Sequence, residues 1–393
     1  MTATDDTRRT VEAVWRLEAP RIIGWAGRVL RDFSLAEEVA QDALLAALET
    51  WPRDGVPENP AAWLMTATQR RALDRLRHAR LAAGKEDEIA RELDFLHEAA
   101  SDAQAEAVDA RLDDAIGDDL LRLIFTACHP LLPPEGRAAL TLRVMGGLTT
   151  DEIARAYLKP EATIAQRIVR AKRTLAAVRI PFEVPRGPEL HARLASVLEV
   201  IYLIFNEGYA ATTGDDWLRP ALCDEALRLG RVLAGLMPGE SEVFGLVALM
   251  EIQASRFAAR VSADGEPVLL LDQDRRRWDR LLIRRGLDAL AHAESLAGDR
   301  GSGPYTLQAG IAACHARAAR SEETDWRRIV ALYDALDQLA PSPVVCLNRA
   351  VAVAEAYGPA SALDLVDALR TDPALQHYHL LPAVRGDLLM RLE

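Results

Sequence analysis

Apolar residues recur at spacings of three and four from the start of the chain, a period that predicts amphipathic helices rather than strands. Val14, Leu17, Ile22, Trp25 and Val29, then Val39, Leu44, Leu45 and Leu48, make residues 11–50 helical. The stretch WPRDGVPENP (51–60) holds three prolines and a glycine and predicts a loop. Pro60 suits the first turn of a helix that continues through Trp63 to about Arg80. Residues 86–119 are weakly periodic and predict a linker. Helical spacing returns over Leu120–Ala127, Pro130, Pro133 and Pro134 break it, and a helix over 135–146 ends at Gly146-Gly147.

The sharpest local pattern follows. Thr149 and Glu152 have the spacing of a capping box, which predicts a helix over Thr150–Tyr157. A turn at Leu158-Lys159-Pro160 leads into a second helix running to about Val178. There Ile164, Ile168, Ala171 and Leu175 form one apolar stripe, and Thr163, Gln166, Arg167, Arg170 and Arg173 occupy the rest of the circumference. A capped helix, a short turn and a helix with a basic outer face match a helix-turn-helix, although helical hairpins that bind no DNA share the pattern. The segment IPFEVPRGPEL (180–190), with three prolines, marks a boundary. Beyond it the spacing predicts helices over 189–206, 217–236, 241–258, 276–297, 306–319, 325–339, 344–356, 360–370 and 376–392. The last five resemble paired-helix repeats, since LQAGIAACHA (307–316) aligns with LNRAVAVAEA (347–356) at an offset of forty.

Composition agrees with the periodicity. Half of the 393 residues are apolar and only 5% are aromatic, which favours an all-α chain of two or three domains. The longest run without a charged residue, 301–316, is broken by Gly301, Gly303, Pro304 and Gly310, so no membrane span is expected. The N-terminal stretch lacks the apolar core of a secretory signal. Cys128, Cys223, Cys314 and Cys346 are far apart, which suits reduced thiols of a cytoplasmic protein better than disulfides or a metal site. No metal or cofactor is expected. His191, His292, His315, His377 and His379 are scattered, and no nucleophile–base spacing marks an enzyme.

The formal charge of −12 argues, as a total, against nucleic acid. Resolved along the chain it reads differently. Residues 63–80 and 161–180 each carry a net +4, residues 86–119 carry −11, and residues 181–393 carry −8. Two basic helices are therefore separated by an acidic connector.

AEEVAQDALLAALETW (36–51) followed by PAAWLMTATQRRALDRLRHAR (60–80) looks like region 2 of bacterial sigma factors of the extracytoplasmic-function type. LTLRVMGGLTTDEIARAYLKPEATIAQRIVRAKRTL (140–175) resembles their region 4. The C-terminal half, with YLIFNEGY (202–209) and DQDRRRWD (272–279), resembles the subgroup bearing a tetratricopeptide-like extension. The resemblance divides the chain into region 2 (1–82), an acidic linker (83–118), region 4 (119–180), a helical extension (181–300) and tetratricopeptide-like repeats (301–393).

It implies a non-enzymatic subunit that gives RNA polymerase its promoter specificity. Glu37, Glu38, Gln41 and Asp42 would dock on the clamp helices of the largest polymerase subunit, a basic partner for an acidic and apolar face, and region 4 would meet the flap. At the −10 element, Glu58 and Asn59 would contact a flipped base, Trp63 would line its pocket or anchor the core, and Arg70, Arg71, Arg75 and Arg77 would hold phosphates. Arg70 departs from the family, where Asn is common at its position. At the −35 element, Thr163, Gln166, Arg167 and Arg170 would read base edges, with Lys172 and Arg173 on phosphates. The linker would either imitate nucleic acid in the polymerase channel or act as a solvated spacer. The extension would control the sigma core in cis, with a peptide or small ligand on its repeats. Asp272, Arg275, Trp278 and Asp279 would join it to the core or serve as a helix cap and staple. The rival reading from the residues alone is a DNA-binding regulator that works without polymerase.

Overall fold

The computed structural model describes residues 3–83, 109–157, 159–178, 180–209, 219–262, 266–375, 378 and 380–393. The chain is all-α, with no strand among the described residues and one isolated bridge between Val261 and Pro267. It divides into two units, Met1–Glu207 and Gly208–Glu393. No described helix is long and apolar enough to cross a membrane.

In the first unit, α1 (Ala3–Leu30), α2 (Phe33–Asp54) and α3 (Pro60–Ala83) pack against one another. α1 packs on α2 with Ile22, Ile23 and Ala26 of the first and the small residues Ala36, Ala40, Ala43 and Ala47 of the second all buried, and small residues let helix backbones approach closely. Asp32 caps α2, its Oδ1 accepting from Leu35 N at 2.9 Å. The helix runs on to Asp54, beyond the loop start expected at Trp51. Trp51 is buried at 2% exposure, Pro52 sits inside the last turn, and the break falls at Gly55, whose φ of +87° suits glycine. The loop is therefore only 55–59.

The second half of this unit contains α4 (Asp109–Ala127), α5 (Pro134–Val144), α6 (Thr150–Tyr157) and α7 (Glu161–Val178), followed by α8 (Pro188–Tyr209). The helix expected from Leu120 begins at Asp109. Of the expected acidic linker, 84–108 lie outside the described residues. The proline-rich connector after α7 does not end the unit. Phe182 packs on Gly27 of α1, and α8 bonds to α4 and α5. There Arg193 Nη2 donates to Phe125 O at 2.7 Å, Ser196 Oγ donates to Cys128 O at 2.6 Å, and Arg137 pairs with Glu199 at 3.0 Å.

The second unit holds α9 (Pro220–Leu236), α10 (Ser241–Ala254), α11 (Arg280–Ala297), α12 (Pro304–Arg317), α13 (Trp326–Leu339), α14 (Pro343–Tyr357), α15 (Pro359–Leu369) and α16 (Leu380–Met390). Apolar nearly all round, α10 is the central helix, packed by α9, α11 and α12. Its one buried carboxylate, Glu251 at 1% exposure, is paired with Arg231 at 2.8 Å and Arg285 at 3.4 Å. From α12 onward each helix packs on the next. Leu307, Gly310 and Cys314 of α12 and Leu347, Ala350 and Ala354 of α14 are all buried. His377 and His379 lie outside the described residues. The four cysteines are free thiols, and burial pushes Cys128 up to about 11.

Candidate nucleic-acid interface

The helix-turn-helix forms as its residues predict. Thr149 N donates to Glu152 Oε2 at 2.8 Å and Glu152 N donates to Thr149 Oγ1 at 3.1 Å, a reciprocal capping box at the start of α6. These backbone and side-chain bonds, with Arg16 and Arg155 nearby, outweigh the opposing effect of burial and hold the Glu152 carboxyl below its usual range. Ile164, Ile168, Ala171 and Leu175 are the buried positions of α7. Packing that stripe on α5 turns Gln166, Arg170 and Arg173 fully outward, while Thr163, Arg167 and Lys172 are half-buried.

The other basic helix, α3, is built the same way. Leu64, Thr68 and Ala72 face inward at helical spacing. Asn59 Oδ1 caps α3 by accepting from Ala62 N at 3.0 Å, which gives this exposed residue a structural task beside any base contact. Glu58 is exposed in the same loop. Trp63 is half-buried and stands edge-on to the buried Trp51, with ring centroids 5.5 Å apart. Arg70 is exposed, Arg71 donates to Ala67 O at 3.1 Å, and Arg77 pairs with Asp74 at 3.2 Å. Arg75 pairs with Glu38 of α2. One residue expected on phosphate is thus joined to one expected on polymerase.

The α2 face is the least open of the three. Glu38 is exposed, Gln41 and Asp42 are half-buried, and Glu37 is buried at 2% exposure. Gln41 Nε2 donates to Glu37 Oε1 at 2.8 Å. The Lys172 ammonium of α7 lies against Glu37 Oε2, and Arg143 Nε of α5 stands 3.9 Å from Oε1. Two further pairs cross between the same halves of the unit: Arg16 with Glu152, and Arg28 with Asp119 at 3.0 Å. Burial raises the Asp119 carboxyl above its ordinary value despite Arg28 and Arg122 beside it. Gly147, at φ +63°, brings the turn before α6 against the Arg16 backbone. None of these crossing contacts follows from helical periodicity.

In the second unit, Asp279 caps α11 by accepting from Leu281 N and Leu282 N at 2.8 and 3.1 Å. Trp278 is buried, and the Arg275 guanidinium lies 4.9 Å from its ring centroid. Arg275 donates to His315 O at 2.5 Å, Ala318 O at 2.8 Å and Thr324 Oγ1 at 3.3 Å. Asp279 is thus a helix cap, Arg275 ties the segment to the end of α12 and the turn after it, and Asp272 is exposed. A cleft of about 490 Å³ is lined by Cys314, Arg317, Ala318, Glu323, Asp325 and Arg328, at α12, α13 and the turn between them.

A family model described as Sigma-70 region 2 matches residues 14–81, and one described as Sigma-70, region 4 matches residues 122–175. A third, described as a family of unknown function (DUF6596), matches residues 193–294. A relative in Rhizobium meliloti (strain 1021), described as an uncharacterized protein, is 46% identical over 375 residues, 95% of this chain and 86% of its own length. ECF RNA polymerase sigma factor SigK of Mycobacterium ulcerans (strain Agy99) is 32% identical over 157 residues, 39% of this chain and 78% of that protein. The protein of that name in Mycobacterium tuberculosis (strain ATCC 25618 / H37Rv) is 34% identical over 159 residues, with the same coverage of 39% and 78%. No solved structure matches the chain.

Proposed function

The chain belongs to the sigma-70 family of RNA polymerase sigma factors, non-enzymatic initiation factors that act with core polymerase on promoter DNA, and we propose a role for each of its surfaces in that work. The α2 face, with Glu37, Glu38, Gln41 and Asp42, docks on the polymerase clamp, and region 4 docks on the flap. Helix α3 and the loop before it open the −10 element. Glu58 and Asn59 meet the flipped base, Trp63 borders its pocket, and Arg70, Arg71, Arg75 and Arg77 hold the backbone. Helix α7 enters the −35 major groove, where Gln166, Arg167 and Arg170 read bases with Thr163, and Lys172 and Arg173 contact phosphate.

The observation that carries the assignment is α7 itself. A fully buried apolar stripe fixes its orientation, and the opposite face carries Gln166, Arg170 and Arg173 in the open. Run-off transcription with core polymerase tests it, using promoters selected from a random library. Arg167→Ala with Arg170→Ala should weaken −35 recognition by about 1–3 kcal/mol for each arginine that hydrogen-bonds a base in bidentate fashion. Unchanged promoter preference in the double variant would refute the base-reading role.

The remainder of the chain, in this reading, regulates the sigma core in cis from the cytoplasm. The tetratricopeptide-like character of α12–α16 is supported by their serial packing and their forty-residue offset, and the cleft near Cys314 suits a peptide or small ligand.

A further inference from the structure

We infer that the second unit holds a binding site for a phosphate group, built from Arg256, Arg275, Trp278 and His315. The inference is independent of the polymerase and promoter roles above, and none of these four residues lines the cleft at Cys314.

Three stretches of chain converge to make the site. Arg256 follows the end of α10, Arg275 and Trp278 lie in the turn before α11, and His315 is on α12. Asp279 N donates to Ser255 O at 2.8 Å, which brings that turn back to the end of α10. The guanidinium carbons of Arg275 and Arg256 stand 4.9 and 5.9 Å from the Trp278 ring centroid. Arg275 also reaches α12 through His315 O.

All four side chains are more than nine-tenths buried. An arginine stays charged in a protein, and a buried charge is costly unless a counter-charge accompanies it. Among the described residues no carboxylate pairs with Arg256 or Arg275: Asp274 is engaged by Arg276 at 3.0 Å, and Asp279 by the backbone of α11. Arg275 donates to neutral oxygens of His315, Ala318 and Thr324. Arg256 Nε, Trp278 Nε1 and His315 Nδ1 are buried without a hydrogen-bond partner among the described residues. The missing counter-charge leaves an electrostatic trace. Burial is the first cause, and the Arg256 charge a further one, of downward shifts at Arg260, Arg275 and His315, the last to about 4. Glu322 and Glu323 oppose the shift at Arg275 only from exposed positions.

Two unmatched guanidinium charges fit one phosphate group, which carries a charge of about −2 near neutral pH and accepts hydrogen bonds from several directions. The indole N–H adds a neutral donor, and His315 Nδ1 donates to a phosphate oxygen or accepts from a phosphate O–H according to its tautomer. A carboxylate carries half the charge and leaves one guanidinium unmatched. The site lies just beneath the surface, since Phe257 is half-buried and Ala258 is exposed directly after Arg256.

Isothermal titration of the full chain with sodium phosphate, at constant ionic strength near neutral pH, tests the site. Saturable binding is expected, with none for acetate at the same concentration. A parallel titration with phenyl phosphate separates the sources of the group: tighter binding than inorganic phosphate points to an ester and the reverse to the free ion, and both support the site. Arg256→Met should bind phosphate at least about tenfold more weakly, because charge-assisted hydrogen bonds are lost. Without phosphate it should melt no lower than wild type, since a neutral side chain replaces an unpaired buried charge. Added phosphate should raise the melting temperature of wild type alone. Trp278→Phe keeps an aromatic ring and removes the N–H, and the indole resonance that it abolishes should move in wild type as phosphate is added. No saturable binding, equal binding of acetate, unchanged affinity in Arg256→Met or a stationary indole resonance overturns the site. So does an Arg256→Met chain that fails to fold or melts lower without phosphate, which would make the guanidinium a structural group.

Discussion

Protonation of His315 should make the second unit acid-sensitive, and one substitution should remove that sensitivity. The side chain is 7% exposed, its Nδ1 is buried without a hydrogen-bond partner among the described residues, and its ring stands edge-on to Trp326 at 5.2 Å. Burial, followed by the guanidinium charges of Arg256 and Arg275, lowers it from 6.5 to about 4. A base whose folded pKa lies below its unfolded value binds protons more readily in the unfolded chain. Its contribution is therefore complete above pH 6.5 and is lost as pH falls toward 4. From those two values the loss between pH 8 and pH 5 is about 2 kcal/mol, rising to about 3 kcal/mol below pH 4. Urea unfolding of wild type and His315→Leu at both pH values measures it. The packing change made by leucine is present at each pH and cancels in the difference, as do the carboxylates common to both proteins. Wild type should lose about 2 kcal/mol more than the variant on acidification. Parallel losses, equal to within about 0.5 kcal/mol, would show that this imidazole is not held neutral by its surroundings.

Two further perturbations test the contacts that build the first unit. Ser196→Ala removes the donor to Cys128 O and an acceptor for Arg137, so two buried polar groups lose a partner. A loss of about 2 kcal/mol is expected, or roughly 4–8 °C in a thermal melt, and a shift within 1 °C would show that water or Glu199 replaces the hydroxyl. Gly27→Ala places a Cβ 2.6–2.9 Å from the Phe182 ring. The ring must move, at a cost of about 1–3 kcal/mol, and limited proteolysis should cut faster within 180–187 than in wild type. Equal cutting rates would argue that Phe182 does not hold the connector to α1.

The sequence was most legible where one helix determines the outcome. The capping box of Thr149 and Glu152 and the buried stripe of α7 depend on neighbours within a few residues, so their spacing was enough to place them. Local signals misled where the surroundings overrode them. Pro52 suggested a loop, yet the burial of Trp51 carries α2 one turn further, to Gly55. Three prolines suggested a boundary after α7, yet Phe182 on Gly27 and Arg193 on Phe125 O keep the connector and α8 within the first unit. The resemblance assigns Glu37 to the polymerase-docking face. Its spacing with Phe33 and Ala40 also puts it on an apolar stripe of α2, and a carboxylate on such a stripe implies a cation brought from elsewhere in the chain. That inference was available from the periodicity. The identity of the cation was not, because Lys172 lies 135 positions away in the sequence and meets Glu37 only through the packing of α7 against α2.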